Sequence, residues 1–147
     1  MRIAIIGSNP SKHNIDPNIP FVGTRSFTRL TRWISYLAEH TELKSSNFHL
    51  LNVSTRISDK EVKYTEDELA NLYYNSQDYD MIISLGNNVK KACLKKRVFQ
   101  YNLPHPSFKN RKLNNPLEEK KLLDELVNVI NLNKQFNLVD PDWSFYH

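Results

Sequence analysis

The chain of 147 residues has one cysteine, Cys93, and no apolar run long enough to cross a membrane. A single cysteine excludes an internal disulfide and any site in which several cysteines hold zinc or an iron–sulfur cluster. A membrane-spanning helix needs about 20 apolar residues, and the apolar run near the N-terminus is too short for a secretory signal. We therefore expect a cytoplasmic protein with no membrane partner, metal or other cofactor, which would work in the host cytoplasm if a phage encodes it.

The overall composition is that of an ordinary folded domain. Hydrophobic residues make up 39% of the chain and charged residues 24%, which is typical of soluble globular proteins. The length suits one domain with a sizeable core, and we predict a single domain over residues 1–147. The net charge of +4 fits either a polyanionic partner or a merely soluble basic surface, and charge alone does not separate the two.

Short apolar segments alternate with segments of helical period along the chain. The predicted strands are "RIAIIG", "FHLLNVS", "YDMIISLG" and "VFQYNLP", which have the nearly continuous apolar character of strands buried on both faces. The predicted helices are "FTRLTRWISYLAEH", with Thr24 or Ser26 as its cap, "TEDELANLYYNS", "NNVKKACLKK" and "LEEKKLLDELVNVINLNKQF". This alternation predicts an α/β fold, a three-layer α/β/α sandwich around a four-stranded parallel sheet.

Polar segments follow each predicted strand. They are "GSNPS", "LLNVST", "SLGNN" and "LPHPSFKNRKLNN". Two of the three glycines, Gly7 and Gly86, end a strand, where the backbone must turn sharply or approach a ligand. Because the carboxyl ends of parallel strands meet at one edge of a sheet, we expect these four segments to converge on a ligand site there.

The order of these segments resembles the uracil-DNA glycosylase superfamily. That family has a Gly-x-Asp-Pro or Gly-x-Asn-Pro motif after its first strand, a Pro-Phe-x-Gly phrase further along, and an Asn that ends the second strand. A Leu-Gly turn follows its third strand and a His-Pro-Ser loop its fourth. The corresponding segments here are "GSNP", "PFVG", Asn52 in "LLNVST", "SLG" and "HPS". The resemblance implies a DNA glycosylase that flips a pyrimidine out of the duplex and hydrolyses its N-glycosidic bond.

The resemblance also implies roles for four residues near the base. Asn9 would orient the attacking water, and His105 would donate to the base O2 as negative charge develops there. Phe21 would stack on the flipped base. Asn52 would offer its amide to the N3–H and O4 of the base, a match that favours uracil over cytosine.

DNA contacts are expected from the same loops. The fourth loop carries two candidates for the wedge that fills the vacated stack: Lys109 occupies the position that relatives use, whereas Phe108 is apolar and chemically better suited. The predicted contacts to phosphates and the surrounding strand are Ser11, Ser107, Asn110 and Arg111.

The chain departs from its relatives in ways that concern the substrate. An amide at Asn9 cannot accept a proton as the Asp of more active relatives can, which predicts slow hydrolysis or a base other than plain uracil. Asp16 is an alternative base, although an Asp before Pro17 is also a common turn former. Ser11 replaces a Gly or Tyr, which leaves room for a 5-substituent on the pyrimidine. Relatives with the "PFVG" phrase hold an iron–sulfur cluster through four cysteines, which this chain lacks.

Two other functions are considered beside the glycosylase. One is a protein on the same scaffold that binds a nucleotide or modified base without cutting it. The other is a nucleoside deoxyribosyltransferase, which needs a nucleophilic Glu; no Glu lies near the four strand-end segments, and this disfavours it. The sequence does not predict the oligomeric state.

Overall fold

The computed structural model describes residues 1–11, 14, 20–21, 23–60, 62–107 and 110–136, with side chains up to Asn133. The predictions for Asp16, Phe108 and Lys109 therefore lie outside the described residues.

A four-stranded parallel sheet forms the centre of the molecule. Its strands are β1 (Ile3–Gly7), β2 (Phe48–Asn52), β3 (Met81–Leu85) and β4 (Tyr101–Leu103). They lie in the order β2-β1-β3-β4, and every neighbouring pair is parallel. All residues of β1 and β3 are buried, as their continuous apolar sequences predict for central strands covered on both faces.

Helices cover both faces of this sheet. They are α1 (Arg25–Thr41), α2 (Glu66–Ser76), α3 (Gly86–Lys95) and α4 (Pro116–Phe136). One apolar cluster joins Leu30 of α1 and Leu126 of α4 to Ile5, whereas a second joins Leu69 of α2 and Val89 of α3 to Ile6. Because Ile5 and Ile6 point to opposite faces of β1, the three-layer α/β/α prediction is confirmed.

The helix ends differ in how they are capped. Thr65 caps α2 through a capping box with Glu68. The predicted cap Thr24 does precede α1, but its hydroxyl donates to the Phe21 carbonyl at 2.6 Å instead of accepting from the helix. The Thr24 side chain thus fixes a loop rather than a helix end. Two short 3₁₀ helices, Ser45–Asn47 and Arg111–Asn114, were not predicted.

The remaining features of the fold concern the core and the surface. Cys93 is fully buried, and burial raises the pKa of its thiol to about 12, so it is a core residue. Within the described ranges, no helix combines the length and apolar character needed to cross a membrane.

Candidate active site

A cleft of about 1000 Å³ lies at the carboxyl edge of the sheet. Residues from five segments line it, and these segments begin at Ser8, Phe21, Ser58, Leu85 and His105. Three of the five follow β1, β3 and β4 directly, as expected of a parallel sheet. The cleft therefore forms where the sequence predicted a ligand site.

Asn9 lines one side of this cleft and is held by its own side chain. Its amide nitrogen donates to the Ser58 carbonyl at 2.8 Å and to the Pro10 carbonyl at 3.1 Å. The backbone N–H of Ser58 donates in turn to the Pro10 carbonyl at 3.0 Å. We call residues 8–11 together with the facing segment 58–60 the Asn9 wall.

This geometry explains why an amide suits position 9. Both hydrogens of the Asn9 amide are used, which leaves the amide oxygen as the atom that can contact a water in the cleft. An aspartate in the same place would bring a carboxylate against two carbonyl oxygens, with no hydrogen to share. The chain is thus built for asparagine at this position.

Phe21 lines the cleft from a strained turn. Its backbone has φ of 69°, which is uncommon for a residue with a side chain. Its carbonyl accepts from the Thr24 hydroxyl at 2.6 Å and from the Thr24 N–H at 2.9 Å, which holds the strained turn. Such strain costs about 1–3 kcal/mol and concentrates at functional sites.

The Phe21 ring packs directly against Gly7. A Cβ atom at position 7 would lie 2.5 Å from Phe21 Cζ and 2.9 Å from Asn52 Oδ1. Glycine at position 7 is therefore required by the close approach of these two side chains.

Asn52 does not line the cleft, in contrast to the other three residues with predicted roles at the base. It pairs with Gly7 in the β1–β2 register, and its amide oxygen lies beside Gly7 next to the Phe21 ring. Asn52 thus lies close to the Phe21 ring and Gly7, beside the lining of the cleft.

His105 lines the cleft from the loop that follows β4. Its ring centroid lies 6.1 Å from that of Phe21, and its backbone passes close to Gly86, where an added Cβ would lie 3.5 Å from His105 Cβ. The side chain is open to the solvent of the cleft. Desolvation by the surrounding protein nevertheless lowers the pKa of the imidazole below its ordinary value. The ring is therefore mainly neutral at pH 7, with one N–H to donate.

Polar side chains, of which Ser84 and Gln100 are buried, fix the strand ends beside His105. Asn102 of β4 donates to Ser84 Oγ at 2.9 Å and to the Gly86 carbonyl at 3.0 Å. Ser84 in turn donates to Gln100. This network ties the end of β3 to the end of β4 and sets the spacing between the Gly86 turn and the loop that carries His105.

The predicted DNA-binding residues lie in several places. Ser11 and Ser107 line the cleft, whereas Asn110 and Arg111 lie outside its lining on the segment that follows. Ser11 closes a turn in which its N–H donates to Asn14 Oδ1 at 2.9 Å. These roles remain predictions.

The electrostatic character of the cleft favours anions. The N-termini of α1 and α3 both meet it, and neither helix has an acidic residue in its first turn or a described side-chain cap. The unpaired N–H groups of a helix N-terminus carry partial positive charge. Arg25 and Lys60 add full charges, and among the described lining residues Asp59 is the one acid.

Several cleft residues were not predicted from the sequence. The segment from Ser58 to Lys60 lies in a polar connector that no motif marks, and it reaches the cleft only because it pairs with the loop of Asn9. Arg25 stands in the first turn of α1, a position that the predicted helix start indicates. The hydroxyls of Ser8 and Tyr64 lie 2.5 Å apart, and no local signal predicts that contact.

The connector is fastened to α2 by an ion pair. Arg56 Nη2 lies 2.6 Å from Glu68 Oε1 and 2.7 Å from the Lys63 carbonyl oxygen. Partial burial would raise the pKa of Glu68, but hydrogen bonds from Arg56, Ser54 and Thr65 outweigh it and lower the pKa to about 2.

In the part of the chain that the structure describes, no group of three or more His, Cys, Asp or Glu side chains is placed to hold a metal ion.

The fold and the cleft define an α/β protein whose ligand site lies at the carboxyl edge of a parallel sheet. A family model described as the uracil DNA glycosylase superfamily matches residues 1–127, which include all four strands and the cleft. The chain belongs to this superfamily of glycosylases that act on DNA, and the resemblance predicted from the motifs is confirmed. No curated protein and no solved structure matches the chain.

Proposed function

We propose that this protein is a DNA glycosylase that hydrolyses the N-glycosidic bond of uracil or a 5-modified pyrimidine after flipping it into the cleft. The observation that carries the proposal is the convergence of Asn9, Phe21 and His105 on one cleft, with the Asn52 amide oxygen and the Phe21 ring both beside Gly7. These four side chains come from segments far apart in the sequence, and the fold brings them to one edge of the sheet.

The proposed reaction breaks the bond between C1′ of the sugar and N1 of the base. The bonding electron pair leaves with the base and spreads to O2, where the neutral imidazole of His105 donates a hydrogen bond. The positive N-termini of α1 and α3 stabilise the same negative charge. Water adds to C1′, loses a proton, and leaves an abasic site.

Asn9 positions the water through its amide oxygen and does not take the proton. Asp59 lines the same cleft and is the carboxylate from the described residues that can accept it. Solvent is the other acceptor, and general-base assistance typically contributes about 10²–10⁴ in rate. We therefore expect slow turnover if solvent takes the proton.

A base that enters the cleft stacks on the Phe21 ring, and the ring moves from its contact with Gly7 so that the base meets the Asn52 amide. The volume of about 1000 Å³ leaves space for a substituent at C5 of the pyrimidine.

The experiment uses end-labelled oligonucleotides with a single uracil, mismatched uracil or 5-hydroxymethyluracil, treated with alkali after incubation. Strand scission marks an abasic site. We expect scission with the wild type and its loss in Asn52→Ala and His105→Ala, with Lys121→Ala on the exposed side of α4 as a matched control. Scission that persists in both site variants would contradict the assignment.

A second function, binding of a modified base without cleavage, is favoured by the amide at position 9. The same oligonucleotides distinguish it, because this function predicts tight binding with no scission.

Asp59→Asn tests which group accepts the proton from the attacking water. A large loss of rate identifies Asp59 as the proton acceptor, and no loss assigns that role to solvent.

A further inference from the structure

A buried arginine lies behind the loop that carries His105. The Arg29 side chain on α1 is only 3% exposed. Burial of a guanidinium is costly unless each of its hydrogen-bonding sides meets a partner. The identity of these partners indicates what the residue does.

The partners of Arg29 come from three different segments. Its Nη1 donates to the Ser107 carbonyl at 3.0 Å, and its Nη2 donates to Asn114 Oδ1 at 2.8 Å. Its Nε lies 3.3 Å from Glu119 Oε2 on α4, an ion pair without hydrogen-bond geometry. The guanidinium thus joins α1 and α4 to the end of the segment 105–107, which we call the His105 wall.

Two prolines limit the hydrogen bonds that the backbone around His105 can donate. Pro104 and Pro106 flank His105, and proline has no N–H to donate. The Ser107 carbonyl accepts from Arg29 and from the Asn110 N–H at 3.0 Å. The bond from Arg29 therefore anchors this loop to the core, two residues from the imidazole.

We propose that Arg29 is a positioning residue that sets the place of His105 through the Ser107 carbonyl. This inference rests on the proposed function for its effect on turnover, but not for its effect on the loop. A planar guanidinium meets the three partners at once, whereas the point charge of a lysine cannot span them. A lysine at position 29 would therefore keep the positive charge but not the three contacts of the guanidinium.

The experiment compares Arg29→Lys with Arg32→Lys as a matched control. Arg32 pairs with the same Glu119 at 3.3 Å, but its side chain is 60% exposed and has no described contact with the loop. For Arg29→Lys we expect a kcat about 10- to 100-fold lower with KM nearly unchanged, since small misplacements of a reacting group have effects of this size. Arg32→Lys should match the wild type.

A second readout does not depend on activity. The ring protons of His105 lie near the Phe21 ring, so their NMR shifts report the place of the imidazole in the free protein. These NMR shifts should change in Arg29→Lys and remain as in the wild type in Arg32→Lys. If the wild type cuts no oligonucleotide, the proposed function fails, and the ring shifts still decide whether Arg29 positions the loop.

A double variant covers the case in which Arg29→Lys does not fold. Arg29→Met with Glu119→Leu replaces the buried pair by apolar residues of similar volume, which often keeps or raises stability. It also removes the bond to Ser107. Shifted His105 signals in this folded variant support the proposal; unchanged signals and an unchanged kcat would overturn it.

Discussion

The Asn9 wall and the His105 wall are each fastened by an arginine and a glutamate, but in different environments. Arg56 and Glu68 fasten the Asn9 wall, and their side chains are 49% and 16% exposed. Arg29 and Glu119 fasten the His105 wall, with exposures of 3% and 16%. The first arginine is half in solvent, whereas the second lies within the core.

The two candidate catalytic side chains are also held in different ways. Asn9 is fixed by its own amide, so its place depends on contacts within its wall. His105 is fixed through its backbone, so its place depends on a buried charge in another layer of the fold. Exposed ion pairs contribute about 0–1 kcal/mol, whereas loss of one partner of a buried pair costs about 3–5 kcal/mol.

The largest expected effect is on the buried pair. Arg29→Ala should lower the free energy of unfolding by about 3–5 kcal/mol, because it leaves Glu119 and the Ser107 carbonyl without their buried partner. Urea denaturation measures this, with Arg32→Ala as the control. If Arg29→Ala and Arg56→Ala lowered the free energy of unfolding by similar amounts, the two walls would not differ in how strongly they are held.

The next effect tests the packing at the end of β1. Gly7→Ala should cost about 1–3 kcal/mol by overpacking, since its Cβ would lie 2.5 Å from Phe21 Cζ. Phe21→Ala in the same chain should relieve the clash, so the double variant should lose less than the sum of the single losses. Additive losses would show that the ring does not sit on Gly7.

A third substitution tests whether the Asn9 wall requires an amide. Asn9→Asp should cost about 1–3 kcal/mol at neutral pH, because the carbonyls of Ser58 and Pro10 lose their donor. The carbonyls also disfavour the charged form, so the pKa of the new carboxyl should be higher in the folded than in the unfolded state. Stability should then recover as the pH falls and the acid is protonated. A variant as stable as the wild type at neutral pH would contradict this geometry.

The smallest effect is expected at the exposed pair. Arg56→Ala should change the free energy of unfolding by about 0–1 kcal/mol at neutral pH. The pKa of Glu68 is lowered from 4.5 to about 2, so its contribution is complete above pH 4.5 and is lost as the pH falls toward 2. Glu68→Gln should remove this acid dependence. If Glu68→Gln left the pH dependence of stability between pH 4.5 and pH 2 unchanged, the lowered pKa assigned to Glu68 would be excluded.

The fold was largely predictable because its signals are local. The apolar run "IAII" predicts a buried strand without knowledge of its neighbours, and Thr65 with Glu68 predicts a helix start. The Thr24 side chain does not cap α1 as predicted, because its hydroxyl donates to the Phe21 carbonyl instead. That carbonyl is within reach only in a turn with unusual backbone angles.

The site was predictable from strand ends and from one motif between elements. Asn9 and His105 follow strands, and the parallel topology brings such segments together, whereas Phe21 lies between β1 and α1 and was predicted from the "PFVG" phrase. Asn52 ends β2 as predicted but does not line the cleft, and no sequence signal indicates this packing detail. Arg29 gave no signal because arginine is usually exposed, and its partner Glu119 lies 90 residues further along the chain.

The most direct test of the account is to observe where a base binds. An oligonucleotide with one 2′-fluoro-2′-deoxyuridine resists hydrolysis, because the fluorine disfavours positive charge on the sugar, and it can be titrated into isotope-labelled protein. The account predicts NMR shift changes centred on Asn9, Phe21, Gly86 and His105, with a new signal position for the Asn52 amide as the ring moves. Binding that shifts a different surface and leaves these signals unchanged would contradict the claim that this cleft receives a pyrimidine.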